Sequence, residues 1–352
     1  MRIFTALLAN RLALLTLLGL GSLPLRAQDP QLSQFYAAPL YLNPAFAGSA
    51  LATRGIINYR NQWPNLNANF VTSMASVDHY FDKINSGVGL LLMNDAQFSN
   101  LRTIDVGLQY AYQLTISEQV KARAGIQVSY VNRSVDYYNL VFGDQLSPTG
   151  PTGSPSLDPV ANTGPRINYV DFSTGGLVYS EQFWVGLSVH HFNRPNQAFT
   201  TLTEQRLPMK IGIQGGYKFA LGDWTFGNGL GDSWGREKSF SPAILYKRQG
   251  KFDQLDVGAY LTYAPLTFGL WYRGIPIKQY ERGLNNHDAA VFLIGYRQDN
   301  FSFGYSYDAT ISTLGFSSGG AHEISMSYTL ESFFEPKRNA RRKKKEMACP
   351  RF

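Results

Sequence analysis

The residues with the richest chemistry in this chain are few and dispersed. Five histidines, His79, His190, His191, His287 and His322, supply its imidazoles, and Cys349 is its single thiol. One cysteine builds neither an internal disulfide nor a thiolate zinc site. His190 and His191 are adjacent, but neighbours on a strand point to opposite faces and cannot chelate one metal. Ser and Asp are plentiful enough for a hydrolase, yet no nucleophile motif is visible. The glycine-rich run Phe226–Gly235 lacks the strand-to-helix context and the lysine of a phosphate loop. No catalytic, cofactor-binding or metal-binding residue is assigned, and the chain reads as a non-enzyme.

Two stretches carry chemistry suited to a partner. Asp29–Ser49, DPQLSQFYAAPLYLNPAFAGS, has prolines at 30, 39 and 44, so neither a continuous helix nor a central strand runs through it. Leu32, Phe35, Tyr36, Leu40, Tyr41, Leu42 and Phe46 make it too apolar to hang in water, so the rest of the protein must bury it. It is expected to be a plug or periplasmic docking element with Gln34, Phe35, Tyr36, Tyr41, Asn43, Pro44 and Phe46 as partner-binding residues; an inert clip that only stabilises the fold is the alternative. The second stretch is the basic tail, where Arg341, Arg342, Lys343, Lys344 and Lys345 form an arm for an acidic periplasmic protein, the cell wall or anionic head groups. Its alternative is a solvated charge run without a partner.

The formal charge of +7 depends on that tail. Without Arg2, Arg11 and Arg26 of the leader the chain carries +4; from Lys337 to Phe352 eight basic residues stand against Glu346, a net of +7, which leaves the body at −3. A nucleic-acid-binding body is therefore not indicated.

The elements that hold these stretches follow from periodicity. Arg2 and Arg11 flank an early charged region, Leu12–Leu25 is an apolar core, and Ala27 is a small residue before a cleavage point, so residues 1–27 read as a secretory signal peptide. Residues 28–52 form the apolar segment, 53–331 a sheet and 332–352 the tail. From Thr53 the period is two: Phe301, Phe303, Tyr305 and Tyr307 alternate with Ser302, Gly304 and Ser306, and Val120, Ala122, Ala124, Ile126, Val128 and Tyr130 alternate with Lys121, Arg123, Gly125, Gln127 and Ser129. Strands are expected at 53–63, 68–81, 85–94, 102–114, 118–142, 167–180, 182–193, 206–221, 239–249, 252–264, 266–274, 287–298, 300–311 and 321–331, with Trp224–Phe240 an insertion or half of a further hairpin. A soluble sandwich or propeller alternates as cleanly. Aromatic segment ends, an opposite face of Gly and mixed polar residues, and segments of ~9 to 13 residues favour an all-β transmembrane antiparallel β-barrel of about 14 strands.

By strand parity the short turns Ser180-Glu181, Ala264-Pro265 and Asp299-Asn300 share a side with the chain's start, the periplasmic side. The long connections Gly143–Arg166, Arg194–Gln205 and Ile275–Asn286 fall outside, and the first is flexible and displayed. The apolar segment and the tail both start on the periplasmic side.

Gln34-Phe35-Tyr36, Pro39-Leu40-Tyr41-Leu42-Asn43-Pro44-Ala45 and Gly48 resemble the N-terminal signature of the PorP/SprF family of Bacteroidota outer-membrane proteins. Residues 301–330, with Gly319-Gly320-Ala321-His322-Glu323-Ile324, are similar to that family's closing hairpin, and Cys349-Pro350-Arg351-Phe352 resembles an ending seen in many members. The insertions near 143–166 and 227–237 depart from the pattern. The resemblance implies a fourteen-stranded barrel in the outer membrane, part of the type IX secretion and gliding system. It further implies a role in exporting and anchoring a surface protein with a C-terminal sorting domain, often an adhesin, with other type IX components in the periplasm as partners. The rival reading of the residues is a passive porin or solute channel.

Overall fold

The computed structural model describes residues 29–66, 69–98, 100–136, 140–158, 166–199, 204–221, 237–281, 284–312 and 315–330. The chain divides into two units, Met1–Gln31 and Leu32–Phe352. In the first, Asp29–Gln31 are partly exposed and without regular structure. The second holds the whole sheet.

Fourteen strands follow one another among the described residues: β1 (Thr53–Gln62), β2 (Phe70–Phe81), β3 (Ser86–Gln97), β4 (Leu101–Thr115), β5 (Lys121–Val135), β6 (Arg166–Tyr179), β7 (Phe183–His190), β8 (Lys210–Tyr217, continued by Phe219–Ala220), β9 (Lys238–Gln249), β10 (Phe252–Tyr263), β11 (Leu266–Glu281), β12 (Leu284–Gln298), β13 (Phe301–Thr310) and β14 (Ala321–Leu330). Each pairs antiparallel with the next, and β1 pairs with β14 from Thr53↔Leu330 to Gln62↔Ala321, so the sheet closes and leaves no edge.

The alternation sets the two faces. On β4 the side chains of Val106, Leu108, Tyr110 and Tyr112 point out, Leu108 being 65% exposed, while Gln109 and Ala111 between them are buried. The same phase runs through β10, where Val257 and Leu261 are exposed and Asp256 and Tyr260 buried. An apolar outside and a polar, glycine-bearing inside is the inverse of a soluble domain and suits a wall with lipid around it. No described helix is long and apolar enough to cross a membrane.

Three expectations change. The strand expected at 118–142 ends at Val135. The expected long connection Ile275–Asn286 is strand: β11 and β12 run on to Glu281 and Leu284, with register shifts at Arg273/Gly274 and beyond. Gly274 takes a φ of 141°, which relieves the bulge as only glycine can. Finally, β8 pairs directly with β9 from Lys210↔Gln249 to Gly216↔Ala243, so no strand of a further hairpin stands between them. Most of that connection lies outside the described residues.

The barrel has a near end, where β1 begins and β14 finishes, and a far end. Connections 82–85, 116–120, 180–182, 264–265 and 299–300 are short and near; 136–165 and 191–209 are long and far. The one long near-end link joins β8 to β9. The far connection after β5 is displayed, with Leu157 86% exposed, but it is not shapeless. Leu146–Ser147 pairs with Gly150–Pro151, and the Asp144 carboxylate accepts from the Leu157 N–H at 2.6 Å and from Ser156 Oγ at 2.8 Å. These donors hold its carboxyl below the ordinary carboxylate range, the Leu157 amide being the larger cause.

Candidate functional site

The proline-broken segment lies inside the barrel, against its inner wall. It folds into three short turns, Phe35–Ala37, Pro39–Leu42 and Pro44–Phe46, the last two opening on a proline at the position where a missing N–H costs nothing. Asn43 caps the third, its Oδ1 accepting from the Ala45 N–H at 2.9 Å. Gln34, Phe35, Tyr36, Asn43, Pro44 and Phe46 are all buried, and Tyr41 partly so. They are brought together against the inner wall of their own chain. Arg341, Arg342, Lys343, Lys344 and Lys345 lie outside the described residues.

The segment is held by its backbone along its length. Asn58 Nδ2 donates to the Ala37 carbonyl at 3.2 Å and Gln109 Nε2 to that of Leu40 at 2.8 Å. Arg123, 1% exposed, donates to the carbonyls of Ala45, at 2.9 Å, and Ala47. Asp78 Oδ2 accepts from the Gly48 N–H at 2.8 Å and pairs with Arg54. Asn43 Nδ2 reaches the wall carbonyls of Gly176 and Leu187 at 3.2 and 3.0 Å. Short turns leave several of their own carbonyls without a partner, and the wall side chains supply the donors.

Close approach explains the glycines of the inner face. A Cβ at Gly87 would overlap the Ala47 carbonyl, one at Gly125 the Ala45 amide and one at Gly175 the Asn43 side chain. Glycine here provides room for a second backbone.

The amino-terminal end meets charge instead. The Glu323 carboxylate accepts from the Ser33 N–H at 2.7 Å and the Gln34 N–H at 3.0 Å. Arg60 pairs with Glu323 at 3.1 Å and Asp308 at 2.9 Å; Arg273 pairs with Asp308 at 2.8 Å and Asp256 at 2.9 Å. Ser33 Oγ donates to Asp308 at 2.6 Å and accepts from both arginines at 2.9 Å. Lys247 adds a further cation 3.6 Å from Asp256. Buried charges persist only when paired and hydrogen-bonded, and these are both. Gln34 completes the latch, accepting from Ser325 Oγ at 2.6 Å and donating to the Glu323 carbonyl at 2.8 Å.

Between the two ends lie the rings. Phe35 meets Trp271 edge-on at 4.9 Å, Tyr36 meets Trp184 at 5.7 Å and Tyr260 at 6.0 Å, and Trp184 Nε1 donates to the Tyr36 hydroxyl at 3.2 Å. Lys210 Nζ sits 4.6 Å from the Tyr41 ring centre.

The wall residues Arg60, Arg123, Arg273, Asp308 and Glu323 are the partners that the sequence reading did not single out as a site. Their signal was available: each is a charge on the inward phase of an outward-apolar strand. His190 and His191 sit at and just beyond the end of β7; His191 Nδ1 lies 2.8 Å from Asp171 Oδ2. Among the described residues no group of three potential ligands gathers around a metal-sized space.

Among solved structures, the chain is similar to the Ralstonia pickettii toluene transporter TbuX at 9% identity and a TM-score of 0.48, over 84% of this chain and 94% of that one. It is also similar to the Acinetobacter baumannii outer membrane protein Omp33 at 9% identity and 0.40, over 80% and 99%. No curated protein matches significantly. The model of the family described as "Type IX secretion system membrane protein PorP/SprF" matches residues 25–328, which takes in the lumen segment and all but the last two residues of the barrel. A closed barrel, apolar outside, with that match is an outer-membrane protein that crosses the membrane many times: the chain belongs to the PorP/SprF family of type IX secretion system membrane proteins.

Proposed function

We propose that this barrel is a non-enzymatic outer-membrane component that assists export of a partner with a C-terminal sorting domain, often an adhesin, and holds that partner at the cell surface. In this reading residues 1–27 are a removed signal peptide, 28–52 a plug, and 332–352 a periplasmic arm that touches other secretion components. A gliding role goes with the family and depends on the partner being a motility adhesin.

The observation that supports this best is the segment of the chain's own backbone laid along the inner wall of the barrel. A solute channel needs a continuous wet path, whereas here a second backbone lies on the inner wall and uses its donors and acceptors. A protein whose interior is committed to its own chain acts through its rims and loops. Deleting the gene is expected to release or trap one particular surface protein while the rest stay displayed; normal display of every surface protein sinks the proposal. Purified barrel in planar bilayers is expected to be closed, and a stable open conductance supports the passive porin instead.

A further inference from the structure

The segment's two ends lie at opposite ends of the barrel. Gly48 bonds Asp78 on the near part of β2, and Ala47 lies on Gly87, the second residue of β3, also near. Asn43 and Ala45 lie further in, on Gly175 and Gly125. Ser33 and Gln34 are fixed to Glu323, the third residue of β14 from the far end, and Ser33 to Asp308, the third from the far end of β13. Read from Ser49 back to Ser33, the chain climbs through its own lumen.

We infer that the segment from Leu32 to Ser49 is threaded through the barrel, so that Leu32 stands at the end that carries the long loops and not at the end where β1 begins. Distance decides this. From Glu323 to Leu330 is seven residues of strand, ~23 Å along β14 and ~18 Å in depth at a tilt of ~40°. Leu32 is one residue from Ser33, a reach of at most ~4 Å. It cannot return to the near rim. The consequence is mechanical: the charged latch faces the long-loop end of the barrel, away from the end where β1 begins.

This inference rests on the barrel alone and holds whichever way the barrel points. The test uses the full chain with Cys349→Ser and one cysteine at a time: Gln31→Cys, Ser154→Cys in the displayed far loop, and Glu181→Cys in a near turn. Intact cells and lysed cells are treated with a membrane-impermeant maleimide. Gln31→Cys is expected to label with Ser154→Cys and not with Glu181→Cys. Labelling of Gln31→Cys with Glu181→Cys overturns the threading. Labelling of Ser154→Cys only after lysis, with Gln31→Cys following it, reverses the orientation assumed above and leaves the threading standing. If Gln31→Cys stays unlabelled even after lysis, a short epitope inserted before Gln31 decides: antibody access from the Ser154 face supports the threading, and access from the Glu181 face overturns it.

Discussion

The two ends of the lumen segment are held by opposite means. At the near end Ala45–Gly48 lie on glycines, and the wall supplies one arginine and one aspartate to their backbone. At the far end Ser33 and Gln34 enter a cluster of buried ions whose members also bind one another. The near end depends on empty space and fails when something is added. The far end depends on a complete set of charges and fails when something is removed.

The largest effect is expected from Glu323→Ala. It strips a carboxylate from Arg60 and from two backbone amides, all buried, and breaking such a pair costs roughly 3 to 5 kcal/mol. Heat-modifiable migration should show a strongly lowered unfolding midpoint, with Leu32–Gln34 freed toward protease while Ala45–Gly48 stay protected. Equal loss at both ends would break the contrast, because it would mean the segment is held as one piece. Gly87→Val tests the other end. Its branched side chain enters the space of the Ala47 carbonyl, an overpacking of about 1 to 3 kcal/mol, and should loosen Ala45–Gly48 first. Combined with Glu323→Ala, the two costs should add if the ends are independent.

Asn43→Ala removes the cap of the third turn and two bonds to the wall, a loss of about 0.5 to 2 kcal/mol by thermal melt. The smallest effect lies outside the lumen, at Asp144. Its carboxyl is held below its unfolded range, so its contribution to loop order is complete above the ordinary carboxylate pKa and is lost as pH falls through the lowered value. Protease cutting near Leu157 should accelerate only in acid, and Asp144→Asn should cut fast at every pH. The lumen should be indifferent to both.

Much of this was legible in the residues. Alternation such as Phe301-Ser302-Phe303-Gly304 marks strands and faces because successive Cβ atoms point opposite ways, a local property. The boundary of β5 and the reach of β11 into β12 were missed because pairing with neighbours, not propensity, ends a strand. In the segment, Pro39 and Pro44 announced the breaks and the aromatic residues announced burial, yet nothing local marks the glycines at 87, 125 and 175 as the places where that segment lies.

What the sequence alone determined, then, is a closed sheet with an apolar outside and an apolar, proline-broken piece that has to be covered. What the tertiary structure decided is where that piece goes. Ser33 and Glu323 stand 290 residues apart, and nothing local brings them within 2.7 Å. Closure of β1 on β14 and the register of every hairpin between them set which inward side chains face one another, and so which end of the lumen holds the charges and which the glycines.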